Sequence, residues 1–197
     1  MIITLTQCNF NMHLAVLELA FMVMLRSALP ECRFTRREYR IEFKNKRFTL
    51  QTALVTLPSG TSFCIWPAMK LPRRPYPAAA YLYAVAMYLS SNLSQRQVSE
   101  QVKRLFQLQN FSHSTISRSV AKLLSRLDDL EAVFGTGICS PSATRRARWT
   151  TAFYAAAQRL TALLGSLLRL PTLDAVMNAG NQLAYQFFHQ TGGQFIL

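Results

Sequence analysis

The chain has 197 residues, half of them apolar, which is enough to bury a core in one domain or in two small ones. Lys and Arg number 22 against 9 Asp and Glu, so the net charge is +13. Such a charge excludes no fold, but it predicts an anionic partner, either nucleic acid or an acidic membrane surface. The alternative is a basic protein whose cations are simply solvated.

The cysteines indicate neither a metal site nor a disulfide framework. Zinc sites use close cysteine pairs, because two ligands from one short loop define half of the tetrahedron. The four cysteines are scattered and form no C-x-x-C pair: Cys8, Cys32, Cys64 and Cys139. We therefore expect no metal and no cofactor. Since the chain shows no secretory signal peptide, we also expect free thiols and a cytoplasmic location.

The first predicted element is an apolar helix over residues 11–28, ended by Pro30. Its apolar run over residues 14–25 contains Glu18 and falls short of the roughly 20 residues that a membrane span needs. We therefore predict a core helix and no membrane partner. Because the helix is apolar all round, it should be buried in the protein or against a second chain, which allows a homodimer.

A β-hairpin is predicted next. Apolar and charged side chains alternate over residues 39–43, and alternation resumes at Phe48 after the polar "KNK", so the turn is centred on Asn45. Seven cations lie between Arg33 and Arg47 with two carboxylates. They could follow a phosphate backbone or be solvated. An irregular, proline-rich connector is predicted over residues 57–77.

Three helices are predicted after the connector. The first covers residues 77–89, with Pro77 at its start, where a missing N–H costs nothing. The second begins at Ser94, which forms a capping box with Gln97, and the third runs from Ser112 to about residue 131. Hydrophobic staples support both of these starts: Leu93 with Val98, and Phe111 with Ile116.

The second and third helices, joined by "QLQNF", form a helix–turn–helix candidate. In that motif the last helix enters the major groove of DNA, and the preceding helix crosses the backbone. Arg118 can pair with guanine or reach a phosphate, and we expect the base contact to dominate. The predicted DNA-binding residues are polar or basic: His113, Ser114, Ser117, Arg118, Lys122, Arg96, Lys103, Arg104, Arg73 and Arg74. The alternative is a three-helix packing unit with a solvated basic face.

The C-terminal region is predicted to be helical. A break with glycine, serine and proline covers residues 134–142, and a long helix follows over residues 143–170, with "RRAR" near its start and Pro171 at its end. A final helix is predicted over residues 172–190. The broad apolar stripe of the long helix indicates core or a dimer interface, so a homodimer could form through the C-terminal or the N-terminal helices.

Residues 71–124 resemble the DNA-binding region of bacterial insertion-sequence transposases and transposase-like proteins. The resemblance lies in "LPRRPY", an alanine- and tyrosine-rich helix, "LSQRQVSEQV" and "FSHSTISRSV". In that family a zinc ribbon commonly precedes the helix–turn–helix, and the hairpin around Asn45 lies where the ribbon would be. The paired ribbon cysteines are absent here. The resemblance therefore implies a degenerate ribbon without metal.

The chain also departs from that family in its carboxylates. Family transposases carry dispersed carboxylates that hold two metal ions for phosphoryl transfer, whereas Asp174 is the only acidic residue beyond Glu131 in this chain. We expect a non-enzymatic, transposase-like accessory or regulatory protein that binds double-stranded DNA. The alternative is a helical structural or partner-binding module.

The expected fold is mainly α, with a helix–turn–helix three-helix unit, a small β-hairpin and additional C-terminal helices. Three regions are expected. Residues 1–76 hold the N-terminal helix and the basic hairpin, residues 77–134 form the DNA-binding unit, and residues 135–197 form the C-terminal helical region.

Overall fold

A small sheet precedes the helices along the chain. The computed structural model describes Val23 and residues 26–64, 70–137 and 150–197. Strands β1 (Arg33–Phe43), β2 (Lys46–Thr56) and β3 (Ser62–Cys64) form an antiparallel sheet in that order. The helices are α1 (Ala78–Ser90), α2 (Gln95–Phe106), α3 (His113–Leu124), α4 (Leu127–Phe134), α5 (Thr151–Leu164) and α6 (Leu173–Gln190). The prediction of a mainly helical protein with a small sheet and C-terminal helices is confirmed.

The hairpin turns at Lys44 and Asn45, as predicted. Their φ values are 51° and 56°, and two consecutive positive φ values give the tight turn whose twist matches the flanking strands. Ile41 and Phe43 are buried, which confirms the predicted apolar face. The prediction of a wholly irregular connector was wrong, because β3 lies inside it. In β3, Phe63 pairs with Val55. A strand of three residues is too short to show the alternation of apolar and polar side chains that predicts a strand.

The hairpin buries opposite faces at its two ends. Near the turn, Phe43 joins the main core. At the far end, Ala53 and Val55 lie on the other face and form a second, smaller core with Phe34 and Phe63. Cross-strand partners share a face, so each end of the hairpin presents one apolar face formed by both strands. The twist of a two-stranded ribbon turns these two faces toward different sides, which lets one hairpin contribute to two cores.

Helix α1 is the centre of the helical part. It carries no charged residue, and nine of its residues are buried. It packs against α2, α3, α5 and α6. A helix that is apolar on all sides must be surrounded by other elements, which is what the packing shows. Pro77 is the N-cap and offers no side-chain hydrogen bond, but Asn181 Oδ1 of α6 accepts from the N–H of Ala79 at 3.4 Å.

Helix α2 begins with the predicted capping box. The N–H of Gln97 donates to Ser94 Oγ at 3.2 Å, and the N–H of Ser94 donates to Gln97 Oε1 at 2.7 Å. The box satisfies donors that the first helical turn leaves without intrahelical partners. Helix α3 also begins where predicted, but the side chain of its N-cap, Ser112, makes no cap hydrogen bond.

We expect Ser94→Ala to lower the free energy of unfolding by about 1 kcal/mol, because it removes the cap acceptor. For a chain of this length the melting temperature should fall by roughly 2–4 °C. Ser112→Ala is the matched control, since it changes an N-cap serine that has no cap hydrogen bond. Equal losses in the two variants, measured by thermal denaturation, would contradict the capping role.

The prediction that the third helix continues to residue 131 was wrong. Helix α3 ends at Leu124, and a separate helix, α4, begins at Leu127. Arg126 sits at the break with φ −120° and ψ 18°, donates to the carbonyl of Phe195 and lies 5.9 Å from the Phe187 ring centroid. These contacts come from the far end of the chain, so the periodicity of residues 112–131 could not indicate them.

The predicted long helix over residues 143–170 was also wrong as one element. Residues 143–149 lie outside the described residues. Thr150 has an extended backbone, and its hydroxyl caps α5 by accepting from the N–H of Phe153. The last turn tightens into a 3₁₀ helix, Gly165–Arg169. The final helix is confirmed, with Thr172 as its N-cap. Of the predicted N-terminal helix, Val23 and residues 26–28 are described and are helical, and the rest lies outside the described residues.

One apolar core joins α1–α6 and the hairpin turn. Its residues come from both sides of the boundary predicted near residue 135, including Val102 of α2 and Leu160 of α5. Within the described ranges, no helix is both long and apolar enough to cross a membrane.

An ion-pair cluster joins α4 to α5. Arg159 donates from Nε to Glu131 Oε1 at 2.7 Å, from Nη2 to Glu131 Oε2, and from Nη2 to Asp128 Oδ1 at 3.1 Å. The hydrogen bonds from Arg159 hold the pKa of Glu131 below its ordinary value. Asp128 and Asp129 also lie in the first turn of α4, where the helix dipole favours negative charge.

This cluster predicts a pH dependence of stability. A carboxylate whose pKa is lower in the folded state stabilises the fold above its ordinary pKa, and that contribution is lost as the pH falls through the lowered pKa. We expect the melting temperature of the protein to fall when the pH is lowered below the ordinary pKa of a glutamate side chain. Arg159→Met should be less stable near neutral pH and show a shallower fall. Parallel curves for the two proteins would contradict this role of Glu131.

Candidate nucleic-acid interface

The loop between α2 and α3 is held by side chains from α2, from α1 and from the turn that precedes α1. Ser99 of α2 is buried, and its hydroxyl donates to the carbonyl of Phe111. Tyr76 donates through its hydroxyl to the carbonyl of Asn110. The rings of Tyr76, Tyr81 and Phe111 pack together with centroids 5.4–5.9 Å apart. The start of α3 is therefore fixed relative to α2 and to the turn that contains Tyr76.

Helix α3 buries one face and exposes the other. Ile116, Ser119, Val120 and Leu123 are buried. Taking about 100° per residue, the side chains opposite them lie in the order His113, Ser117, Ser114, Arg118 and Lys122 around the helix. His113, Ser117, Arg118 and Lys122 are exposed, and Ser114 is half-buried. No carboxylate occurs in α3, so its exposed face is basic and polar except at Ala121.

Arg118 folds back along its own helix. Its Nε donates to the carbonyl oxygen of Ser114 and its Nη2 to Ser114 Oγ, both at 3.2 Å. Ser114 Oγ in turn lies 2.8 Å from Ser112 Oγ. These are exposed, neutral partners for a guanidinium. An anion could replace them, because a guanidinium binds a charged acceptor more strongly than a neutral one.

The turn formed by residues 70–77 packs beside α3. Lys70 pairs with Pro77 across the turn, and its ammonium donates to the carbonyl of Arg74. Desolvation lowers the pKa of Lys70 from its ordinary value. Arg74 stacks over the Tyr81 ring at 4.9 Å and donates from Nη1 to Ser119 Oγ at 3.3 Å. Arg73 is exposed and has a left-handed backbone, with φ 56°.

A cleft of about 550 Å³ lies between this turn and α3. Four of the predicted DNA-binding residues line it: Arg73, Arg74, Arg118 and Lys122. Thr115 and Asn110 add neutral polar groups, and no carboxylate side chain lines it. The structure thus brings together cations that lie up to 49 positions apart in the sequence, and it does so on one side of α3.

The predicted cations of α2 form a more mixed surface. Arg96 and Arg104 are exposed, as an interface requires. Lys103 is half-buried, and its ammonium lies 2.6 Å from Glu100 Oε1. Glu100 lies between Arg96 and Arg104 around the helix, at about 100° per residue. The spacing of three residues between Glu100 and Lys103 is a sequence signal for this ion pair, and it was missed.

The hairpin turn is attached to the C-terminal end of α2. The N–H groups of Lys44 and Asn45 donate to the carbonyls of Phe106 and Gln107, at 3.1 and 2.6 Å. The N–H of Glu42 donates to the carbonyl of Pro75 at 2.6 Å. The hairpin therefore has a defined position relative to both α2 and the turn at residues 70–77. Two of its arginines form ion pairs within the hairpin, Arg36 with Glu38 and Arg47 with Glu42.

Three residues of this surface were missed by sequence reasoning. Thr115 and Asn110 line the cleft, and Ser119 holds Arg74 in place. Thr115 could have been found, because it precedes Arg118 by three residues and so lies on a neighbouring part of the helix surface. Asn110 and Ser119 meet the turn at residues 70–77 only through the tertiary fold.

Among the described residues, no three His, Cys, Asp or Glu side chains come together in a way that could hold a metal ion. The polar groups available on the surface built from the turn at residues 70–77, α2 and α3 are mainly cations and hydroxyls. Comparison of the chain with models of known protein families, with curated proteins and with solved structures found no match.

Proposed function

We propose that the protein binds double-stranded DNA through α2 and α3, used as a helix–turn–helix. In this proposal α3 lies in the major groove, and α2 crosses the backbone. The observation that carries the proposal is the exposed face of α3, which is basic, polar and without a carboxylate, next to a cleft that adds Arg73 and Arg74. A merely solvated helix face usually mixes both signs of charge.

We further propose that the protein is a transposase-like accessory or regulatory protein that binds DNA without cutting it. Two features support this proposal. Residues 71–124 resemble the DNA-binding region of insertion-sequence transposases, and the described carboxylates are used in ion pairs. Six of them are paired with Lys or Arg: Glu38, Glu42, Glu100, Asp128, Glu131 and Asp174. Carboxylates used in this way partly neutralise the basic surface.

A salt titration of DNA binding tests the proposal. The logarithm of the affinity for a mixed-sequence duplex should fall linearly with the logarithm of the salt concentration. Selection from random duplexes should also enrich particular sequences, because part of the affinity depends on sequence. A protein that uses α2 and α3 to bind another protein would show neither property. Weak binding without selection of any sequence would indicate a non-specific basic surface and would contradict the proposed reading of the major groove.

We expect no cleavage or joining of DNA by the purified protein. Two-metal phosphoryl transfer needs carboxylates that converge on ions about 4 Å apart, whereas Asp128 and Glu131 are held together by Arg159. Supercoiled DNA incubated with protein and Mg²⁺ or Mn²⁺ should stay supercoiled. Nicking that copurifies with the protein and disappears in Asp128→Ala or Asp174→Ala would contradict this expectation.

A further inference from the structure

The cleft between α3 and the turn at residues 70–77 contains one cation that is already fixed. Arg74 is half-buried, with its guanidinium stacked on Tyr81 at 4.9 Å and bonded to Ser119 Oγ at 3.3 Å. Its carbonyl accepts from the buried Lys70. A guanidinium held by a ring and a hydroxyl, on a backbone that a further hydrogen bond fixes, loses little side-chain entropy when it binds a ligand, which is the condition for a preorganised site.

Two further cations reach the same cleft from α3. Arg118 and Lys122 are four residues apart and exposed, so they lie one helical turn from each other on the cleft side. Neither they nor Arg73 and Arg74 form an ion pair with any other described residue. Like charges brought close together repel one another, and a bound anion would reduce that repulsion.

We propose that this cleft binds one phosphate group of the DNA backbone, with Arg74 as the fixed ligand and Arg118 and Lys122 as ligands that close on it. The inference rests on the proposed function, because it takes the phosphate from the bound duplex. A planar guanidinium pairs with two phosphate oxygens at once, and an ammonium supplies a further charge. The contact would set the depth and the register of α3 in the groove.

This inference changes the role expected for Arg118. The sequence favoured a base contact, but the placement beside Arg74 assigns Arg118 to the phosphate backbone. Base reading then falls to the side chains on the other part of the exposed face: His113, Ser114 and Ser117. Serine hydroxyls can donate or accept, and both serines are short enough for the helix to approach the base edges.

A double-mutant cycle on DNA affinity tests whether the cations share one phosphate. Arg118→Gln and Lys122→Gln change exposed residues, so both variants should fold. A third variant, Arg74→Gln, changes the cation that is already fixed in the cleft. Ligands of one group are coupled, so the loss in Arg118→Gln/Lys122→Gln should differ clearly from the product of the two single losses. Arg96→Gln, on α2 and away from the cleft, should combine multiplicatively with Arg118→Gln.

A second measurement uses inorganic pyrophosphate and no DNA. Pyrophosphate should raise the melting temperature of the unmodified protein more than NaCl at equal ionic strength, and the rise should grow with the logarithm of its concentration. Arg74→Gln and Arg118→Gln should lose most of that rise, and Arg96→Gln should keep it. Duplexes with and without 5′-phosphates should bind equally, since the proposed ligand is an internal phosphodiester.

The outcomes separate this inference from the proposed function. A protein that binds DNA but shows multiplicative losses and no pyrophosphate effect has no phosphate cleft, although the proposed function stands. A protein that binds pyrophosphate through Arg74 and Arg118 but does not bind DNA has an anion cleft of another use, and the assignment to the DNA backbone is then overturned. A preference for 5′-phosphorylated ends would also overturn it in favour of a terminal phosphate.

Discussion

Reversing the charges of Arg118 and Lys122 together should reduce the affinity for duplex DNA by roughly 10²–10⁴-fold, because each charge-assisted contact is worth about 1.5–3 kcal/mol. Both side chains are exposed on the same side of α3, so Arg118→Glu/Lys122→Glu also places two carboxylates where the DNA is proposed to lie. The expectation holds whether these residues contact bases or phosphates. Fluorescence anisotropy with a labelled duplex at fixed salt measures it.

The control for this variant is a second double variant with the same net charge. Arg26→Glu/Arg169→Glu reverses two exposed arginines outside the proposed interface and lowers the net charge by the same amount. It should weaken binding far less, since a distant charge acts only through the screened field of the whole protein. Equal losses in the two double variants would mean that binding follows total charge, and α3 would then have no special role.

Gly180→Ala should lower the free energy of unfolding by roughly 1–3 kcal/mol, the usual cost of overpacking. A Cβ at this position would lie 2.6 Å from Ala79 Cα and 2.7 Å from Ala79 Cβ, so the backbones of α1 and α6 would have to separate. The same separation would strain the hydrogen bond from the N–H of Ala79 to Asn181. The melting temperature should fall by roughly 2–12 °C.

The sign of this effect is its sharpest feature. Gly→Ala in an exposed helix stabilises by about 1 kcal/mol, because alanine is the better helix former. Gly165→Ala is the matched control, since a Cβ there would meet only Thr161 Cγ2, at 4.0 Å. That variant should be neutral or slightly more stable. A gain in stability for Gly180→Ala would show that α1 and α6 do not approach as closely as described.

Local chemistry determined several elements from the sequence alone. The capping box at Ser94 and the turn at Lys44 and Asn45 depend on residues within a few positions of each other, and both predictions are confirmed. The starts of α3 and α6, after Ser112 and Thr172, were also predicted correctly. The carboxylate-free face of α3 follows from helical periodicity in one short segment, so the sequence was sufficient to select it.

Contacts between distant residues and one unpredicted cap decided the rest. Helix α3 ends at Leu124, next to Arg126, whose side chain contacts Phe187 and Phe195. Helix α5 begins at Thr151, after the extended Thr150 that caps it. Sequence periodicity continues through both positions, so it predicted longer helices. Tertiary contacts outweigh local propensity because a residue's preference for helix is worth less than about 1 kcal/mol.

The cleft shows the same division between sequence and tertiary structure. The sequence by itself determined which side chains are available, since it supplied Arg73 and Arg74 in one segment and Arg118 and Lys122 in another. Only the tertiary structure decided that they line one cleft, because the packing of Tyr76 and Tyr81 against Phe111 and the bond from Arg74 to Ser119 join the two segments. Such contacts depend on burying the aromatic side chains together, and no pattern within either segment encodes the distance between them.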